Sequence, residues 1–346
     1  MKKNQRPSSE LRMDVISQDW VIIAPGRAGR PNLLAETKKR KTTPPKECPF
    51  CQIQTQQNPL LVFSNGRKIA WEKWTPSLLK KWTTLVIPNK YPIFSSDSQL
   101  KEKKEGPFFK KIKALGFHEI VVTRHHTKQI AQFNLAQVKE LFDVYQERYL
   151  ELMKKNFVNY ISIFHNHGPR AGASVDHPHS QIITTLLIDI DLQHAIKKAQ
   201  NYFEKYGKCI YCEMNKWEQK NKKRIVFENE EFLVLCPFAS KVNFEVIITP
   251  KKHLSYFQEI KENEKWKLAQ AFQIAIEKIF RGLNDPDYNF YLHTAPCDGK
   301  KYPYYHWHWT ILPRLSLSPS AGFEMGTHME VSTIFPEKAA EYLKNQ

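Results

Sequence analysis

At 346 residues the chain is long for one domain and short for three, so two domains are expected. An apolar fraction of 41% with 12% aromatic residues is enough for packed cores and excludes a disordered chain, while 12 glycines against 21 prolines exclude a collagen-like or glycine-rich linker protein. Fifty-two Lys and Arg against 35 Asp and Glu leave a net charge of +17, which favours phosphates, nucleotides or nucleic acid as partners, although the basic residues are dispersed as on a solvated surface.

Residues 1–13 are basic with no apolar stretch behind them, so no secretory leader is expected and the default compartment is the cytoplasm. No run approaches the ~18 apolar residues of a membrane span. Residues 36–47, rich in Lys, Thr and Pro, read as an exposed loop. Cys48-Pro49-Phe50-Cys51 follows. Then come a short apolar strand, Thr84-Leu85-Val86-Ile87-Pro88, a second, His118-Glu119-Ile120-Val121-Val122-Thr123, and a histidine at 126. Val138, Leu141, Phe142, Tyr145, Tyr149 and Leu152 recur mostly three and four apart, the spacing of a helix. The alternating strand Tyr160-Ile161-Ser162-Ile163-Phe164 leads to His177-Pro178-His179.

A polar stretch with helical character, Asp189 to Tyr206, divides residues 1–190 from 191–346. The second half then repeats the order of the first. Cys209-Ile210-Tyr211-Cys212 is followed by Leu233-Val234-Leu235-Cys236-Pro237, by Phe244-Glu245-Val246-Ile247-Ile248-Thr249, and by a histidine at 253. A helix-period segment carries Trp266, Ala269, Phe272, Ile276 and Ile279. The strand Tyr288-Asn289-Phe290-Tyr291-Leu292-His293 leads to His306-Trp307-His308. The lone histidine precedes the pair by 51 residues in one half (126 to 177) and 53 in the other (253 to 306). Six features in one order imply a tandem duplication of a strand-rich unit with a helix packed on its sheet, an α+β architecture.

Four of the six cysteines form the two Cys-x-x-Cys pairs, which in a reducing compartment read as metal-binding or redox elements. A redox pair should open a helix after a strand; Pro49 and the polar surroundings of both pairs predict metal-binding turns instead. Two Cys and two His per half make a closed tetrahedral zinc set, structural rather than catalytic. The candidate ligands are Cys48, Cys51, His126 and His177, then Cys209, Cys212, His253 and His306, with His125 the rival to His126. Cys236 reads as a buried small hydrophobe, and Cys297 has no assigned role.

On a strand, residues i and i+2 point the same way, so one histidine of each His-x-His pair can hold metal while the other faces a substrate. A neutral imidazole is a competent nucleophile at phosphorus. The segment Asn166-His167-Gly168-Pro169-Arg170-Ala171-Gly172-Ala173-Ser174 precedes His179, and its glycines allow close backbone approach to an anion. Gly172, Ala173 and Ser174 would form the cradle if their N–H groups converge, and Ser174 and Gln181 offer neutral donors. The second pair has no such loop, and Trp307 and Trp309 mark it as core. Chemistry is therefore expected at His179, with His308 mostly structural.

Asn166 to Gln181, containing Gly-Ala-Ser-x-x-His-Pro-His-x-Gln, closely resembles the active-site segment of galactose-1-phosphate uridylyltransferases in the histidine-triad superfamily. The resemblance extends over most of the chain: the segment from Asp19-Trp20 to Arg30-Pro31, the pair Cys48/Cys51, His306-Trp307-His308, and Ala321-Gly322-Phe323-Glu324 all look like parts of that family. The second Cys pair is similar to the two-zinc branch, which includes plant ADP-glucose phosphorylase. The resemblance implies a tandem pair of histidine-triad-like domains, each a mainly antiparallel sheet with packed helices, holding two zincs per chain. It implies that His179 accepts the nucleotidyl group, that Asn166, Ser174 and Gln181 line the phosphates, and that Arg27 and Arg30 bind phosphate or sugar phosphate. It places Asn89 at the nucleotide and Phe323 and Glu324 at the sugar, across the interface of a homodimer. Pro169 and Arg170, and the stretch from Met325 to Glu330, depart from the family pattern, which bears on sugar specificity.

The expected activity is transfer of a nucleotidyl group from UDP-glucose to galactose 1-phosphate, the partners being a nucleotide sugar and a sugar 1-phosphate. The rival enzyme is an ADP-glucose or dinucleotide-polyphosphate phosphorylase with inorganic phosphate as acceptor, and no residue ties the site to uracil over adenine. A zinc-dependent nucleic-acid-binding protein is the alternative of another class. It is disfavoured because the charge is dispersed and no reader motif is present.

Overall fold

The computed structural model describes residues 8–28, 42–71, 74–96, 101–315 and 322–346. Arg30, Ala321 and residues 36–41 of the expected loop lie outside the described residues.

The first half contributes β1 (Glu10–Met13), β2 (Trp20–Ile23), β3 (Leu61–Ser64), β4 (Arg67–Lys68), β5 (Thr84–Pro88), β6 (Lys103–Glu105), β7 (Phe109–Lys111), β8 (His118–Thr123), β9 (Tyr160–His167) and β10 (His179–Thr185). Its helices are α1 (Pro76–Lys81) and α2 (Leu135–Leu152). After α3 (Ile190–Tyr206) and α4 (Ile210–Asn221), the second half adds β11 (Ile225–Glu228), β12 (Phe232–Leu235), β13 (Val246–Pro250), α5 (Glu262–Gly282), β14 (Tyr288–His293) and β15 (His308–Pro313). The chain closes with α6 (Gly322–Thr327), β16 (Val331–Ser332) and α7 (Pro336–Lys344).

Among the described residues eleven strands form one antiparallel sheet in the order β11-β12-β13-β15-β14-β9-β10-β8-β5-β3-β4. Read outward from its centre, β9-β10-β8-β5 on one side matches β14-β15-β13-β12 on the other, so the duplication is present in three dimensions. The two half-sheets fuse where β9 pairs with β14, Asn166 opposite Asn289 and Phe164 opposite Tyr291. The expected α+β architecture holds, with the two units sharing a sheet.

Strand alternation gives the sheet two unlike faces. On one face Val121, Ile161, Ile163, Ile182, Val246, Ile248 and Phe290 are buried against α2 and α5 in a core common to both halves. Trp309 lies within 6 Å of Phe142, Phe272 and Phe290 in edge-to-face geometry, and Trp307 and Trp309 are wholly buried, as core residues should be. The predicted helical stripe in α2 is buried from Val138 to Leu152. In α5 Ala269, Phe272, Ile276 and Ile279 are buried, but Trp266 is 41% exposed and lies beside the Lys139 ammonium instead. Asn134 caps α2 by accepting from the Gln137 N–H, and Gln137 reaches back to the Asn134 N–H. Asp189 caps α3, which ends at Gly207 in the left-handed conformation.

The opposite face of the sheet presents His118, Ile120, His179 and Gln181, then Phe164 and Asn166, then Asn289, Tyr291 and His293, and this face carries the candidate site. β1, β2 and β16 form a small separate sheet that joins the chain's two ends. Buried Arg12 holds it in place through a bidentate pair with Glu337, which Arg224 also contacts at 2.6 Å. Among the described residues no helix is long and apolar enough to cross a membrane.

Candidate active site

Each half gathers its two cysteines and two histidines. In each set the ligand atoms all lie within 4.8 Å of one another. In the first, Cys51 Sγ is 3.1 Å from His126 Nδ1 and 3.5 Å from His177 Nδ1, and Cys48 Sγ is 3.6 Å from His177 Nδ1. In the second, Cys212 Sγ is 3.4 Å from His253 Nδ1 and 3.5 Å from His306 Nδ1. A zinc tetrahedron with bonds of ~2.0–2.3 Å has edges of roughly 3.3–3.8 Å, so the donor sets fit. The outward ring nitrogens agree: His126 Nε2 donates to the Thr43 carbonyl, His177 Nε2 to that of Thr123 and His306 Nε2 to that of Pro250. With the proton on Nε2, the Nδ1 lone pair points into the cluster. His126 joins the set, and His125 lies beside Gln137 instead.

The two cysteine pairs differ in setting. Cys48 and Cys51 lie in turns, as expected. Cys209 and Cys212 do not: Cys209 is the N-cap residue of α4 and Cys212 sits in its first turn. The expectation of a turn is corrected here, because the polar segment after Cys212 is the exposed side of a helix. Hydrogen bonds from Cys212, then His253 and His306, pull the Cys209 thiol well below its ordinary value.

His179 follows His177 by two residues at the start of β10 and is 8% exposed. Its Nδ1 lies 2.9 Å from the His177 carbonyl oxygen, which can only accept, so Nδ1 carries the proton and Nε2 the lone pair. Burial holds the imidazolium form below its ordinary pKa, keeping the ring neutral. The Phe50 ring packs against His179 at 5.0 Å and against the edge of His177 at 5.8 Å. The loop between the two cysteines therefore forms a wall for the histidine pair.

The loop before the pair is held from the second half. The Arg170 N–H donates to Asp287 Oδ2 at 2.7 Å. Asn289 Nδ2 donates to Asn166 Oδ1 and to the Ala171 carbonyl, both at 2.8 Å, and Arg314 Nε donates to Asn289 Oδ1 at 2.7 Å. Gly168, at φ +82°, has the Asp287 carboxylate where a Cβ would stand, 2.2 Å away. This glycine is therefore required by Asp287 rather than by an anion. The expected cradle also needs correction: the Gly172 N–H is spent on the Pro169 carbonyl and the Ala173 N–H on that of Gly168. That leaves exposed Ser174 and the side chains as donors.

Gln181 shares the face of His179, and its Oε1 lies 2.7 Å from His118 Nε2. Asn89 lies against His118, and both line a cavity of about 1010 Å³. Asn166 and Gly172 line a second cavity, about 890 Å³, that runs over the second half. Arg27 is exposed in a short turn after β2, and Phe323 and Glu324 lie on α6. No hydrogen bond, ion pair or ring contact among the described residues joins these three to His179. His118, Asp287, Asn289 and Arg314 were not among the expected site residues. Sequence gives His118 no distinct mark, since Glu119 and Thr123 are polar members of the same strand; Asp287 and Asn289 act on residues more than a hundred positions away, and Arg314 acts through Asn289.

A duplicated antiparallel sheet with a Cys2His2 set and a His-x-His pair in each half defines the class of the molecule. Comparison with known proteins then gives its family. Residues 1–188 match the family described as galactose-1-phosphate uridyl transferase, N-terminal domain, and residues 195–345 match the C-terminal domain of the same family. The chain belongs to this family of nucleotidyltransferases. It is 31% identical to ADP-glucose phosphorylase of Arabidopsis thaliana over 99% of this chain and 93% of that one. It is 29% identical to galactose-1-phosphate uridylyltransferase of Thermotoga maritima over 97% and 98% of the two chains. The structure of the Arabidopsis thaliana ADP-glucose phosphorylase with bound ADP-glucose superposes with a TM-score of 0.79 at 29% identity, covering 98% of this chain and 99% of that one.

Proposed function

We propose that the chain transfers a nucleotidyl group through His179. The observation that carries this reading is a buried, neutral imidazole whose Nδ1–H is committed to a backbone carbonyl, which presents the Nε2 lone pair. Nε2 attacks the α-phosphorus of a nucleotide sugar, UDP-glucose in the main reading. The phosphorus–oxygen bond to the sugar phosphate breaks, and glucose 1-phosphate leaves with the electron pair. A phosphate oxygen of galactose 1-phosphate then attacks the nucleotidyl-histidine and displaces Nε2. Asn166, Ser174 and Gln181 meet the phosphate oxygens, Asn89 the nucleotide, and Arg27 and Arg30 phosphate or sugar phosphate. Phe323 and Glu324 reach the sugar from the second subunit of a homodimer, in keeping with the lack of any bond between them and His179 among the described residues.

Zinc in the two Cys2His2 sets, two ions per chain, would supply cross-links with no open coordination position. Cys48, Cys51, His126 and His177 then fix the Phe50 wall, and Cys209, Cys212, His253 and His306 fix the start of α4. We assign residues 1–190 and 191–346 to the two units and the cytoplasm as compartment.

A second reading, a phosphorylase with inorganic phosphate as acceptor and ADP-glucose as donor, is favoured by the similarity to the Arabidopsis thaliana protein. One experiment separates the two. Intact protein is mixed with UDP-glucose or ADP-glucose, weighed by mass spectrometry, and chased with galactose 1-phosphate or inorganic phosphate without added Mg²⁺. A uridylyl adduct discharged by galactose 1-phosphate supports the main reading. An adenylyl adduct discharged only by phosphate replaces it with the second. No adduct with any nucleotide sugar removes both.

A further inference from the structure

Gln181 is itself held in place by a residue that neither reading uses. His118 opens β8, the strand beside β10, and the register sets Gln181 opposite Ile120 and Ile183 opposite His118. His118 and Gln181 therefore share a face of the sheet as diagonal neighbours, within reach of long side chains. His118 Nε2 and Gln181 Oε1 meet at 2.7 Å.

The other ring nitrogen shows which group donates. The backbone N–H of Ile93 points at His118 Nδ1 from 3.3 Å. A backbone N–H can only donate, so Nδ1 bears the lone pair and Nε2 the proton. His118 Nε2–H then donates to Gln181 Oε1, and both protons of the Gln181 amide remain for another acceptor. Asn89 lies alongside: its Nδ2 is 3.3 Å from Nδ1, the accepting nitrogen, and 3.0 Å from Nε2, while its Oδ1 accepts from the Tyr91 N–H. Burial lowers the His118 pKa and favours the neutral ring.

An amide side chain can turn over with little change of shape, exchanging its donor for its acceptor. A glutamine presenting Oε1 to a phosphate repels it; one presenting NH2 binds it. The second half provides a comparison within the molecule. There Thr310 pairs with Ile247 as Gln181 pairs with Ile120, so Thr310 stands at the place of Gln181. Glu245, two residues before Ile247, stands at the place of His118. Both members are replaced in the second half, whose His-x-His pair follows a loop of different sequence, residues 294–305.

The geometry points to His118 as a positioning residue that locks the Gln181 amide with its NH2 toward the phosphate held at His179. This rests on the nucleotidyl-transfer reading for the role of Gln181. His118 touches no reacting atom and acts only through the glutamine.

The test is a double-mutant cycle of wild type, His118→Leu, Gln181→Leu and the double variant, read as the single-turnover rate of nucleotidyl-enzyme formation. A hydrogen bond to a charged group is worth about 1.5–3 kcal/mol, so His118→Leu should slow that step about 10- to 100-fold while changing KM for the nucleotide sugar less than about threefold. In the Gln181→Leu background the same change should cost nothing further. Equal losses in both backgrounds would overturn the proposal. His118→Gln, whose amide nitrogen stands where Nε2 stood, should recover most of the rate, and it serves as the kinetic variant if the leucine form does not fold.

A second measurement needs no turnover. The long-range ¹H–¹⁵N spectrum of protein labelled at histidine should show His118 protonated on Nε2, and protonation on Nδ1 would overturn the proposal. Wild type that forms no adduct with any nucleotide sugar would instead defeat the nucleotidyl-transfer reading, leaving the tautomer to decide whether His118 holds the glutamine.

Discussion

The two halves build the same scaffold and finish it differently. In the first, Phe50 of the cysteine loop walls His179, and Asn166 stands one step beyond the Ser180–His165 pair. In the second, His308 holds the place of His179 and makes the same kind of contact, Nδ1 to the His306 carbonyl at 3.3 Å. Here, however, the neighbouring strand supplies His293, opposite His308 in register and stacked on it at 4.6 Å. Burial then pushes both rings well below the ordinary histidine pKa. The loop ahead of the first pair carries two glycines at positive φ, Gly168 and Gly172, where the second has Gly299, and the second half's own Asp287 and Asn289 secure the first loop. In the proposed reading, duplication leaves one copy to carry chemistry and the other to hold its loop in place. A histidine beside a Cys2His2 set becomes a candidate nucleophile through what its neighbouring strands supply.

The largest test of this division compares His179→Gly with His308→Gly. The first should abolish the nucleotidyl-enzyme adduct and cost several orders of magnitude in turnover, about what loss of a covalent nucleophile costs, with zinc content near normal and partial rescue by imidazole. The second should leave the adduct intact. If His308→Gly alone removes the adduct, the two roles are reversed.

The two candidate zinc sets come next. Elemental analysis should find two zincs per chain, and one or none would end the duplicated-site reading. Cys48→Ser should impair both stability and the chemical step, because Phe50 loses its anchor beside His179. Cys209→Ser should lower the melting temperature by several degrees, as loss of a structural metal does, with a much smaller effect on adduct formation.

Asn289→Ala probes the support across the halves. It deletes the bonds to Asn166 and Ala171, and at about 1 kcal/mol each should lower kcat/KM roughly tenfold or more with zinc content unchanged. A wild-type rate would show that the loop holds itself.

The last test leaves activity aside and concerns Glu245, which occupies the place of His118. Burial lifts its carboxyl from 4.5 to about 7. An acid whose folded pKa is raised contributes stability below its unfolded pKa and loses it as pH rises through the folded one, here between about 4.5 and 7. Glu245→Gln, which keeps an acceptor for the Lys241 N–H, should therefore match or trail wild type at pH 4.5 and exceed it at pH 8, by at most roughly 3 kcal/mol in urea unfolding. Parallel stability curves for the two proteins would refute this account of the second half.

Local pattern made much of this legible. Alternation marked β9, its place in the repeat marked β14, three-and-four spacing marked α2 and α5, and equal cysteine spacing exposed the repeat and both ligand sets. Short or polar elements escaped it. The four-residue strands β3 and β11 lack a long enough period, and the β6–β7 hairpin, Lys103 to Lys111, is all exposed. Trp266 fitted the helical period and still faces out, because period marks a stripe without fixing its width.

The residue order by itself determined the duplication, the eight cluster residues and His179 as the group to watch, since these depend on spacing and on the chemistry of single side chains. Only the tertiary structure decided that the half-sheets fuse at β9 and β14, that Cys209 opens a helix, and that Asp287, Asn289 and His118 hold the loop and the glutamine. Those contacts join residues 29 to 123 positions apart, or reach across neighbouring strands. Strand register sets them, and register is a property of the assembled sheet, which no single strand's sequence contains.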